Sequence, residues 1–123
     1  MINIHFNSET NILEVTYLGK ISIEQLLEYG SEIRNNKTYP RNLKVFTDAT
    51  KADYTIEEKN IPGLLENLEK DVENYHTVKS AMLHSSPKET AISMILEFEE
   101  KIPNYTHRIF STREAAMQWL LEE

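Results

Sequence analysis

No cysteine occurs anywhere in the chain, and that absence excludes disulfide frameworks, thiol catalysis and cysteinyl zinc or iron–sulfur sites. It agrees with a reducing compartment. Long apolar runs are missing too. No stretch approaches the roughly 18 consecutive apolar residues of a membrane span, and the opening "MINIHFNSETN" has neither a basic n-region nor a long hydrophobic h-region. The expected location is cytoplasmic. Basic clusters are also absent: 13 Lys and Arg are scattered against 20 Asp and Glu, for a formal charge of −7. Such a balance repels phosphate backbones and anionic lipid, which removes nucleic acid from the expected partners. His5, His76, His84 and His107 show no His-x-x-x-His or His-Glu-x-x-His spacing, and the acidic runs "LEFEEK" and "LEKDVEN" lack the loop of a calcium site. Neither a metal nor another cofactor is expected.

What is present points to an ordinary globular chain, with 40% hydrophobic and 27% charged residues and only 3 Gly and 4 Pro to interrupt them. No repeat, low-complexity tract or linker divides it, so residues 1–123 are read as one domain. Ile2, Ile4 and Phe6 alternate with polar residues, and so do Leu13, Val15 and Tyr17, with "NSETN" between the runs. That is the period-2 pattern of a hairpin. Gly19 is expected to end its second strand. In "SIEQLLEYGSEIRNN" the period changes to helical, and Gly30 falls on the apolar face, where a missing side chain lets the helix approach the sheet. "NLKVFTD" reads as a central parallel strand closing at Asp48.

Four helices are expected, each started by Ser or Thr with Glu or Gln three residues later: Ser22 with Gln25, Thr55 with Glu58, Ser86 with Glu89, and Ser111 with Glu114. Pro62 and Gly63 break the second, which predicts either a short turn at 56–60 followed by a fresh helix from Ile61, or a kink. With "TVKSAMLHS" and "THRIFS" as further strands, the order is ββαβαβαβα. The fold class is therefore α/β, a mixed, mostly parallel five-stranded sheet covered by about four helices.

Gly19 before a Ser-capped helix, "KVFTDAT", "VKSAMLHS" and above all "RIFSTREAAMQWL" resemble the SpoIIAA-like family, a branch of the STAS and CRAL-TRIO-like domains. The resemblance implies a small domain without catalytic residues that acts as an interaction module or holds an apolar ligand. STAS anti-sigma-factor antagonists carry a phosphorylated serine after the third strand, in an Asp-Ser-Gly-like stretch. Here that loop reads "DATKADYTIEE", and its only hydroxyl in a comparable place is Thr55, the candidate acceptor.

In mostly parallel sheets ligands bind beyond the carboxyl ends of the strands, which selects Asp48, His84, Ser85 and Ser86 as a candidate pocket mouth. Leu64, Leu65 and Leu68 on the second helix, facing Met94 and Phe98 on the third, are the candidate wall of a groove for an acyl chain or a partner helix. The leading expectation is a non-enzymatic regulatory domain that contacts a protein partner or shelters a small apolar molecule such as a lipid. Two alternatives differ in class. One is a small hydrolase or ligand-modifying enzyme using His84 with Asp48, although nothing near Ser85 resembles a nucleophile elbow. The other is a scaffold that dimerises through an exposed edge strand at Ile2–Phe6.

Overall fold

The computed structural model describes residues 1–84 and 102–122. Five strands form one sheet in the order β1-β2-β3-β4-β5: Ile2–Asn7, Ile12–Ile21, Asn42–Tyr54, Thr77–Leu83 and Tyr105–Phe110. β1 runs antiparallel to β2, and every later neighbour is parallel. The hairpin closes over a turn in which the Asn7 carboxamide accepts from the backbone of Glu9 and Thr10, while Asn11 takes a left-handed φ of 60°. Asparagine tolerates that region better than most residues because its short side chain bonds locally.

Helices cover both faces. α1 (Ile23–Asn35) and α2 (Ile61–Val72) lie against each other on one side, above a core of Leu13, Val15, Leu43, Val45, Val78 and Met82. α3 (Arg113–Leu121) packs on the other side, where Ala116 and Leu120 meet Ile12, Phe46 and Ala81. The alternation of β2, β3 and β4 divides these two sets as a period-2 strand must. The helix expected over residues 86–101 lies outside the described residues, and with it Ser85, Ser86, Met94 and Phe98.

Several local expectations are corrected. β3 does not close at Asp48 but continues to Tyr54, and Gly19 does not end β2: it sits inside the strand at φ 68°, paired with Ala52. The two long strands support each other past the end of β4, whose last pair with β3 is Asp48 with Leu83. A bulge after Asp48, three steps of β3 against two of β2, absorbs the register change. Thr55 starts no helix. Its N–H and hydroxyl both donate to the Ile21 carbonyl, at 3.0 and 3.3 Å, tying the end of β3 to the end of β2. A 3-10 turn at Glu58–Asn60 then leads into α2 at Ile61, with Pro62 in the first turn where its missing N–H does no harm. For α3 the capping oxygen belongs to Thr112, not Ser111, and accepts from the Ala115 N–H at 3.1 Å. Ser22 does cap α1, accepting from the Gln25 N–H at 3.2 Å.

Gly30 serves a different approach from the one expected. A Cβ built there would run into the Asp71 carboxylate on α2, so the missing side chain admits the neighbouring helix, not the sheet. Asp71 in turn takes two bonds from Arg34 of α1, at 3.0 Å from Nε and 2.7 Å from Nη2. Burial pushes the Asp71 carboxyl above its usual range, and the Arg34 guanidinium pulls against that shift. The helix pair is thus joined by one largely buried charge and one half-exposed partner.

Candidate functional site

Beneath the α1–α2 pair a cavity of about 150 Å³ opens onto the sheet. Leu26, Leu27 and Ile33 of α1 and Leu64, Leu68 and Val72 of α2 form its walls, while β3, β4 and β5 supply its floor. Leu27, 38% exposed, stands at the edge where this wall meets solvent. The volume is of the order that holds a benzene-sized molecule when the lining is apolar.

The floor is not uniformly apolar. Register places Val45, Ser80 and His107 in one row across three strands, all turned toward the helices. Ser80 and His107 are both buried, and the Ser80 hydroxyl lies 3.2 Å from His107 Nδ1. The Tyr105 hydroxyl approaches the same nitrogen at 3.5 Å. Burial holds His107 down to about 4, with nearby His84 adding in the same direction, so the ring is neutral at physiological pH. Tyr17 and Tyr29 also line the space, and burial raises both phenols well above their ordinary value. Their hydroxyls therefore keep their protons. Among the described residues Asp71 is the only lining residue with a formal charge, and Arg34 engages it.

Of the residues singled out in the sequence, Leu64 and Leu68 line this cavity, whereas Leu65 does not. The wall opposite them is α1, a pairing the sequence reading did not draw. Asp48 is partly buried, and its Oδ1 accepts from the Thr50 N–H at 3.0 Å and the Thr50 hydroxyl at 2.6 Å. This closes a short local turn beside the bulge. His84 follows Leu83 and meets the Tyr54 ring edge-on at 5.9 Å. Asp48 and His84 are not brought together. Strand alternation puts Asp48 on the α3 side with Phe46 and Leu83, while His84 continues the Ser80–Met82 row on the cavity side. Ile2 and Phe6 of β1 are partly buried against the core, and Ile4 is 36% exposed on this edge strand. Among the described residues no group of three or more acidic or histidine side chains is placed to hold a metal, and no helix is long and apolar enough to cross a membrane.

Ser80, His107 and the paired tyrosines were missed in the sequence, although a signal was there. Within "TVKSAML", Ser80 shares its parity with Val78 and Met82, and within "YTHRIF", His107 shares its parity with Tyr105 and Ile109. A polar residue on the apolar phase of a strand is the mark of a buried polar floor.

No family model matches the chain, and neither does any of the curated proteins searched. Among solved structures, an uncharacterised protein of the DUF3478 family with a SpoIIAA-like fold, from Shewanella loihica, is similar at TM-score 0.64 and 14% identity, covering 98% of this chain and 92% of that one. The anti-sigma factor antagonist SpoIIAA in its unphosphorylated form is similar at TM-score 0.58 and 9% identity, over 98% and 97% of the two chains. The Bacillus cell fate determinant SpoIIAA in its phosphorylated form matches at TM-score 0.58 and 11% identity, over 98% and 99%. With likeness along almost the whole chain at so little identity, what is shared is the backbone plan: this chain has a SpoIIAA-like fold.

Proposed function

We propose that the chain is a non-enzymatic, cytoplasmic binding domain that houses a small, mostly apolar molecule between α1 and α2. The observation that carries this reading is the cavity of about 150 Å³ under the α1–α2 pair, over a continuous floor of β3, β4 and β5. The separation of Asp48 from His84 weighs against the hydrolytic alternative, because a base and its orienting carboxylate must lie within hydrogen-bond reach. Toluene is a suitable probe. At millimolar concentration it is expected to raise the thermal midpoint of the wild-type chain by mass action, and Leu68→Trp, which fills the space from α2, is expected to abolish the rise. An unchanged midpoint with toluene, or an equal rise in the tryptophan variant, would count against the cavity as a binding site.

A regulatory contact with a protein partner is the second reading, supported by the likeness to a fold solved in phosphorylated and unphosphorylated forms. Thr55 is the acceptor this reading uses. It is exposed, and its hydroxyl holds the Ile21 carbonyl at the junction of β2, β3 and the approach to α2. A phosphate there would replace a single weak bond with two negative charges beside Glu57 and Glu58. Mass spectrometry of the chain isolated from growing cells is expected to find Thr55 modified, and its absence under every growth condition would discard Thr55 as the switch.

A further inference from the structure

The polar row in the cavity floor restricts what the cavity accepts, and this deepens the binding reading proposed above. Three observations combine. The described walls are largely aliphatic, so most of any occupant's surface must be apolar. Among the described residues one charged side chain borders the space, Asp71, and it is already bonded twice by Arg34. An ionised occupant would therefore lose its hydration without finding an unengaged opposite charge among the described lining residues. Finally, the Ser80 hydroxyl is buried in the floor with His107 Nδ1 at 3.2 Å. A serine oxygen has two lone pairs and one proton. Whichever of the two groups donates in the Ser80–His107 bond, the oxygen keeps at least one lone pair. It can then accept a hydrogen bond from an occupant.

We infer that the α1–α2 cavity takes a neutral, ring-sized apolar molecule bearing one hydroxyl, of the phenol class, with that hydroxyl donating to Ser80 beside His107. A largely aliphatic wall then receives the ring, and Ser80 in the floor supplies the polar contact that orients it. The Tyr17 and Tyr29 hydroxyls, kept protonated by burial, add no charge that would favour a cation.

Titration calorimetry with toluene, p-cresol and p-toluate, which share one ring and methyl group, separates the parts of this inference. p-Cresol is expected to bind about tenfold more tightly than toluene, the worth of one buried hydrogen bond, and p-toluate is expected not to bind. Ser80→Ala should bring p-cresol to the affinity of toluene while leaving toluene unchanged. Ser80→Cys, closer in volume and a weaker acceptor, should fall between, and it stands in if the alanine variant does not fold. Equal binding of toluene and p-cresol to the wild type, or a p-cresol preference that survives both substitutions, would overturn the hydroxyl assignment and leave the cavity reading standing. Tighter binding of p-toluate would overturn neutrality. Failure of both toluene and p-cresol would remove the cavity reading itself.

Discussion

Lowering the pH from 7 to 4 is expected to cost the wild-type chain about 3 kcal/mol of folding stability through His107 alone. In the unfolded chain this imidazole titrates near its ordinary value of about 6.5, whereas in the fold burial, reinforced by His84, depresses it to about 4. A depressed folded value means that the unfolded state takes up the proton first. The contribution is complete above about pH 6.5 and is lost progressively as pH falls toward 4, at roughly 1.4 kcal/mol per tenfold rise in proton concentration. Urea unfolding at a series of pH values measures it. His107→Gln removes the titrating group while keeping hydrogen-bonding capacity toward Ser80, and should flatten the decline between about pH 6.5 and 5.5, where few carboxylates are yet protonated. An unchanged slope in that variant would mean that His107 is not held neutral by the sheet. On the proposed binding reading, a charged ring in the cavity floor would also expel an apolar occupant.

The second large effect concerns Gly30. Replacing glycine by alanine inside a helix ordinarily gains about 1 kcal/mol. Here the added methyl meets the Asp71 carboxylate, which Arg34 holds at 2.7 and 3.0 Å. The carboxylate must move, and a buried charge whose pairing is broken costs about 3 kcal/mol, so Gly30→Ala should destabilise the chain by about 2 kcal/mol net. In an Asp71→Ala background the obstruction is gone. There the same substitution should be neutral or mildly stabilising, giving a coupling of about 2–3 kcal/mol in a four-protein denaturation cycle. Equal cost in both backgrounds would mean that Gly30 is needed for some reason other than the approach of α2. Because Gly30 and Asp71 both border the cavity, toluene binding should weaken in Gly30→Ala as the helices part.

The order of elements was legible because each strand and helix announces itself locally. Period-2 runs at Ile2–Phe6 and Leu13–Tyr17 and the Ser22-started apolar stripe over α1 need no distant partner to be recognised. The errors fell where a distant partner decides. β3 passes Asp48 because β2 is there to bond it as far as Ile21, and nothing within "TDATKADY" says so. Likewise Thr55 has the residues of a capping box but spends its hydroxyl on the Ile21 carbonyl, 34 positions away.

By itself, the chain's composition and periodicity determined an α/β domain with one antiparallel strand, devoid of thiol chemistry and poor in positive clusters, because these depend on residue identity and short-range spacing alone. Which helices face each other was decided only in three dimensions. Gly30 and Asp71 lie 41 positions apart and Ser80 and His107 lie 27 apart, and each pair meets solely through the parallel crossovers that stack β3, β4 and β5 beneath α1 and α2. The cavity and its polar floor are properties of that stacking, since a strand pattern states which side chains share a face but not what is laid over them.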